Sequence, residues 1–251
     1  MTESPDRGRP SGRPLVLGHR GASAEAPENT LAAFRLAMEQ GADGVELDVW
    51  RCATGEVVVH HDEDTGRTAG APHRLSRTGL AELRRLDVGA WKGERFRGER
   101  VPLLAEVLEA LPGALVNVEL KSTGVPDLGL AAAVARLLRD ARAAERCLVS
   151  SFDYALLAAF RLAAPSVRTG ILFADDRWWR VRERAGRLVR PAAMHPERTL
   201  VTEERARAWA ERGLDVNVWT VDATDELERL ARLGARALIT NRPRLAREVV
   251  G

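Results

Sequence analysis

Val49 and Glu56 each sit in a β-like run, yet only a short turn around Thr54-Gly55 separates them. A parallel crossover needs about a dozen residues, so the second run must return antiparallel, as a hairpin. That spacing decides how the other runs are counted. Short β-branched or leucine-rich runs occur at Leu15–Gly18, Gly44–Val49, Glu56–His60, Leu115–Leu120, Cys147–Ser151, Arg168–Phe173, Ala192–His195, Val216–Thr220 and Ala237–Thr240. They alternate with amphipathic helical stretches, as βαβ units around a parallel sheet do. With the returning run set aside, eight parallel strands remain, and eight close a TIM (β/α)8 barrel. The chain has 251 residues, and one such barrel takes about 250.

Helices fit between the runs. Asn29-Thr30 reads as a cap before Leu31, Phe34 and Met38, and Gly41 ends that helix. Leu130–Ala144, Tyr154–Ala164, Glu203–Arg212 and Asp225–Leu233 read likewise. From 62 to 101 a stretch rich in glycine, arginine and charge breaks the rhythm, and is expected to be an insertion over the catalytic face. Residues 1–13 are polar and lack an apolar secretion core, so they read as a flexible tail before a single domain over 14–251. No apolar run approaches the roughly 18 residues of a membrane span. The formal charge of +2 offers no strong field for nucleic acid, nor is there a basic stripe interleaved with stacking aromatics. Cys52 and Cys147 have no metal or redox spacing, which predicts a reducing, cytoplasmic setting.

Chemistry gathers at the ends of the first strands, in Gly18-His19-Arg20-Gly21, Glu46-Leu47-Asp48 and His60-His61-Asp62. Burying that many ionisable groups unpaired is costly, so a structural reading is poor. Glu46 and Asp48 lie two apart on a strand and point to one face. Two carboxylates that close require a cation or a raised pKa. Glu119, within Asn117–Lys121, adds a third from the next barrel strand. Three oxygen donors suit Mg²⁺ or Ca²⁺ better than zinc, which prefers nitrogen and sulfur. His19 and His61 end the first strand and the hairpin, and imidazoles can exchange protons near neutral pH. Arg20 beside Gly21 offers a planar fork for phosphate oxygens, or else a salt bridge to Glu28; Lys121 supplies a second positive charge.

Other groups carry less. His60 is expected on the opposite face to His61, and exposed. Asp62 either holds His61 in one tautomer or caps the next turn. His195, ending the sixth barrel strand, is a weaker candidate for the mouth, and His73 has no evident partner. Trp178-Trp179 sits in a stretch from Arg177 to Arg190 with six arginines and one glutamate. It reads as a half-buried barrel helix, with transient lipid contact as the alternative.

The chain resembles the glycerophosphodiester phosphodiesterases from Leu15 to Pro243. The matching landmarks are His19-Arg20-Gly21, Pro27-Glu28-Asn29-Thr30, Gly41-Ala42-Asp43, Glu46 and Asp48. They continue through Val58-Val59 with His61-Asp62, Arg67-Thr68, Glu119 with Lys121, Ser151-Phe152, Val218-Trp219-Thr220, and Thr240 with Pro243. The resemblance implies a TIM barrel with a small insertion, a divalent cation, and a small-molecule glycerophosphodiester hydrolysed to sn-glycerol 3-phosphate and an alcohol. By position it makes His19 and His61 the general acid/base pair, and Glu46, Asp48 and Glu119 the metal ligands. Arg20 and Lys121 would hold the phosphate, and Trp219 would wall the glycerol side. Cys52 and Thr54 depart from the threonine and aspartate common in the family. Asp222 stands where asparagine is common, and Asn241 where aspartate is common. The alternatives are a lysophospholipase D acting on lysolipids and a non-catalytic barrel that binds phosphorylated ligands.

Overall fold

The computed structural model describes residues 12–251, so most of the tail expected over residues 1–13 lies outside the described residues. Nine strands are present among these residues: β1 (Leu15–His19), β2 (Gly44–Arg51), β3 (Val57–Val59), β4 (Leu115–Leu120), β5 (Cys147–Ser151), β6 (Arg168–Phe173), β7 (Ala193–Pro196), β8 (Asp215–Val218) and β9 (Ala237–Thr240). Their hydrogen-bonded order is β1-β9-β8-β7-β6-β5-β4-β2-β3, and β1 also pairs with β2. That pairing closes a ring of eight parallel strands, a TIM barrel. β3 lies outside the ring, antiparallel to β2, with Val49 opposite Val59 and Arg51 opposite Val57.

Among the described residues ten α-helices accompany the strands: α1 (Leu31–Glu39), α2 (Gly66–Ala69), α3 (Leu80–Leu83), α4 (Leu104–Ala110), α5 (Leu128–Asp140), α6 (Tyr154–Ala163), α7 (Trp179–Gly186), α8 (Glu203–Glu211), α9 (Thr224–Arg232) and α10 (Pro243–Val250). α2 and α3 lie in the segment between β3 and α4, α10 follows the last strand, and the other seven lie between successive barrel strands. Caps set where they begin. Thr30 accepts from the Ala33 amide, Asp127 from Gly129 and Leu130, and Asp153 from Ala155 and Leu156. α5 therefore starts two residues before the periodic run suggests. Among the described residues no helix is long and apolar enough to cross a membrane.

Side-chain alternation sorts β2 and β4 into two faces. Val45, Leu47, Val49, Val116, Val118 and Leu120 join the main core with Phe34, Leu104 and Leu130. Each such side chain contributes about 1.5–3 kcal/mol on burial. Glu46, Asp48, Asn117 and Glu119 occupy the other parity, inside the ring. The segment between β3 and α4 builds a smaller core of its own. Leu75, Leu83, Val88 and Val101 pack on Trp50, Cys52 and Val58 of the hairpin.

The chain leaves β1 through a tight turn in the left-handed region, with φ of 56° at Arg20 and 87° at Gly21. A Cβ on Gly21 would stand 2.5 Å from the Ala33 carbonyl carbon. Gly21→Ala is therefore expected to destabilise the protein by roughly 2 kcal/mol or more, through backbone strain and the clash together. A urea midpoint equal to that of the parent would contradict this.

Candidate active site

The register puts the site residues side by side. His19 lies opposite Glu46 across β1 and β2, and Asp48 opposite Glu119 across β2 and β4. One carboxylate oxygen from each of Glu46, Asp48 and Glu119 lies within 4.8 Å of the others, and all three residues are buried. Two cations lean on this cluster. Lys121 Nζ is 2.8 Å from Glu119 Oε1 and 3.3 Å from Asp48 Oδ1. Arg20 Nε is 3.4 Å from Asp48 Oδ2, and its Nη1 donates to Glu28 Oε1 at 2.9 Å. Arg20 thus makes the salt bridge to Glu28 that its position allowed, and leans on Asp48 as well. Asn29 Nδ2 also donates to Asp48 Oδ2 at 2.8 Å.

Environment separates the carboxyls. Burial, with Asp48 and Glu119 beside it, pushes the Glu46 carboxyl well above the usual range. Burial raises Glu119 as well, against the pull of Lys121. Burial also acts on Asp48, but Lys121 and Arg20 overcome it and hold that carboxyl far below normal. Three buried carboxylates facing two cations leave a site short of positive charge. Its donors are all carboxylate oxygens, the set a hard divalent cation takes. The residues fit Mg²⁺ or Ca²⁺.

Both histidines reach the cluster. His19 Nε2 is 4.0 Å from Glu46 Oε2, and its Nδ1 is 2.7 Å from Asn241 Oδ1. Since that oxygen can only accept, His19 carries its hydrogen on Nδ1. Burial and the neighbouring Arg20 push its pKa down to about 4. Asn241 is fixed in turn: Ser23 donates to its Oδ1, and its amide groups donate to Asp222. His61 Nδ1 faces Asp62 Oδ1 at 2.8 Å, and Asp62 Oδ2 accepts from Arg67 Nε at 2.7 Å. Asp62 thus pairs with the imidazole, the first of the two roles its position allowed. Arg67 and His61 hold the Asp62 carboxyl down at about 2, although burial opposes them. The other end of Arg67 binds both oxygens of Glu28, at 3.0 and 2.7 Å. A continuous chain of ion pairs therefore runs from His61 through Asp62, Arg67 and Glu28 to Arg20.

Trp219 stands at the end of β8, where its Nε1 donates to the His195 carbonyl at 2.8 Å and its ring meets Phe152 edge-on at 5.7 Å. The other candidates fall elsewhere. His60 is buried, not exposed, bonding the Asp62 carbonyl and Thr68 Oγ1. It shares the face of Val58, which the inserted segment covers. His73 pairs with Glu82 at 3.0 Å. Trp179 is part-buried under Arg205, while Trp178 is exposed. The sequence reading gave Asn29 only a helix cap, named Arg67 only as a landmark of the resemblance, and assigned nothing to Ser23.

His195 is fully buried inside the barrel, where its Nε2 is 3.0 Å from Asn217 Nδ2. Burial holds its pKa down at about 3, against 6.5 when free. Between those values the unfolded chain binds a proton that the folded chain refuses, so stability is complete above pH 6.5 and falls towards pH 3. The slope from this group approaches about 1.4 kcal/mol per pH unit. His195→Gln is expected to flatten the dependence of the urea midpoint on pH between 6 and 4, roughly by one proton. An unchanged slope would remove His195 as the cause.

The profile of the glycerophosphoryl diester phosphodiesterase family matches residues 19–245. The chain belongs to that family. This makes the protein a phosphoric diester hydrolase with a TIM-barrel fold. It is 35% identical over 233 residues to a glycerophosphodiester phosphodiesterase of Caldanaerobacter subterraneus, covering 91% of this chain and 94% of the relative. An Oleispira antarctica phosphodiesterase, solved in complex with the product sn-glycerol-3-phosphate, superposes with a TM-score of 0.87 at 29% identity, over 95% of this chain and 97% of that one. The glycerophosphodiester phosphodiesterase of Agrobacterium tumefaciens gives 0.80 at 30% identity, over 94% and 100% of the two chains.

Proposed function

We propose that this phosphodiesterase hydrolyses glycerophosphodiesters to sn-glycerol 3-phosphate and an alcohol. The observation that carries this reading is the meeting of three buried carboxylates, two cations and two histidines at one end of the barrel. Glu46, Asp48 and Glu119 would hold Mg²⁺ or Ca²⁺, which when bound offsets the charge of the diester and of the transition state. Arg20 and Lys121 bind the phosphoryl oxygens, the first through its planar fork. Trp219, braced by Phe152, walls the glycerol side.

Protons move at Nε2 of both histidines, because an oxygen acceptor occupies each Nδ1. Their surroundings divide the work. Burial lowers the pKa of the His61 imidazole, but the carboxylate behind it pulls towards the protonated form, so His61 gives a proton to the leaving alkoxide. A neutral amide stands behind His19, with Arg20 beside it, so His19 takes the proton of the nucleophile. Both cysteines are buried and free, in keeping with a reducing, cytoplasmic setting.

The test is release of sn-glycerol 3-phosphate from glycerophosphocholine and glycerophosphoethanolamine, with Mg²⁺, with Ca²⁺ and after chelation. Metal-dependent release is expected. No release by folded protein with either ion would overturn the reading.

A further inference from the structure

We propose that the rim of the barrel mouth docks on the surface of an anionic phospholipid bilayer. Most of the large apolar side chains exposed among the described residues gather there. Val125, Leu128, Phe152, Trp178 and Val181 lie on segments that follow the C-terminal ends of the parallel strands β4, β5 and β6, and Trp91 lies in the inserted segment between β3 and α4. Contacts tie several of these segments to the mouth. Ser122 Oγ donates to Asp153 Oδ2 at 2.7 Å, joining the connections after β4 and β5. Lys92 Nζ, next to Trp91, donates to the Ser23 carbonyl after β1 at 2.7 Å.

The loop before α5 is built for an interface. Val125 is 77% exposed and Leu128 60%, and from 122 to 129 the only charged residue is Asp127. That carboxylate is already engaged, pairing with Arg51 at 3.0 Å and capping α5. The loop can therefore enter a headgroup layer without dragging an unpaired charge out of water. An apolar cluster of this kind on a soluble surface marks an interaction site.

Charge identifies the occupant. Arg177 and Arg180 are exposed, and neither has a carboxylate within 4.0 Å among the described residues. Arg177 lies over the Trp178 ring at 5.2 Å and Arg180 over Trp179 at 5.3 Å. Tryptophan and arginine together favour the headgroup level, where an indole meets the apolar boundary and a guanidinium the phosphates. Between 175 and 190 six arginines face three carboxylates, two of which are tied to Arg182 and Arg187. The excess is positive, so an anionic surface complements it. A second copy seated on this rim would close both mouths.

The test is co-sedimentation with vesicles of phosphatidylcholine alone and of phosphatidylcholine mixed with phosphatidylglycerol. Binding to the mixed vesicles is expected, weaker in high salt and weaker on the neutral ones. Arg177→Glu with Arg180→Glu should cut it about tenfold or more, and Val125→Asp with Leu128→Asp should abolish it. Both pairs should keep the parent's melting curve and its rate on soluble glycerophosphocholine. No binding, or binding indifferent to these substitutions, would overturn the proposal. So would a solution dimer that the same substitutions split. Vesicle binding by a protein that hydrolyses no diester would leave the docking standing and overturn the reaction.

Discussion

His61→Ala will lower kcat on glycerophosphocholine by about 100- to 10,000-fold and leave the melting temperature nearly unchanged. The side chain is part-exposed at 31% and ends the hairpin, so its removal opens no core cavity. What it removes is Nε2, the atom proposed to carry the proton, which the Asp62 contact at 2.8 Å fixes in place. Asp62→Asn should then cost less than His61→Ala and act on kcat more than KM, because it weakens orientation and protonation while the imidazole remains. The preceding residue supplies a control. His60 is buried between the Asp62 carbonyl and Thr68 Oγ1, so His60→Ala should cost about 1–3 kcal/mol of stability. Two adjacent histidines thus carry opposite signatures, one kinetic and one thermodynamic. Near-parental turnover in His61→Ala would refute its role.

The barrel was legible because its signals are local. β-branched runs mark the strands, period-two alternation aims Glu46 and Asp48 inward, and the distance from Val49 to Glu56 permits only a hairpin. The placement of His19, His61 and the carboxylates follows from those rules. The misplacement of His60 also has a cause. Alternation puts it on the face of Val58, correctly, but that face is covered by Leu75, Leu83 and Val101, far along the chain. Whether a strand face meets water depends on such distant packing, which periodicity does not encode. The support of His19 was hidden for the same reason. Its Nδ1 rests on Asn241, 222 positions away, and Asn241 on Asp222. The sequence marked Asn241 and Asp222 as departures near the mouth. Only the fold shows that the neutral member of the pair touches the histidine.

Glu119→Gln will abolish stabilisation by Mg²⁺ or Ca²⁺ and, with it, metal-dependent turnover. In the parent, ion at a hundredfold excess over its dissociation constant should add about 2.7 kcal/mol, seen as a rise in melting temperature. The variant keeps Glu46 and Asp48 but loses one charged donor from a three-carboxylate set. Without metal the effect should differ in kind. Glu119 helps to force the Glu46 carboxyl upward, so neutralising it relieves repulsion within the cluster. Lys121 loses a partner at 2.8 Å but retains Asp48 at 3.3 Å, so no cation is stranded. The metal-free variant should therefore melt close to the parent, with the difference appearing only when ion is added. Metal affinity in the parent should also fall as the pH is lowered, since the raised carboxyls of Glu46 and Glu119 must lose their protons to bind. A variant that still gains the parent's full thermal shift would remove Glu119 from the ligand set. One that collapses without ion would show that Lys121 depends on Glu119 for its burial, and that the carboxylate is structural before it is a ligand.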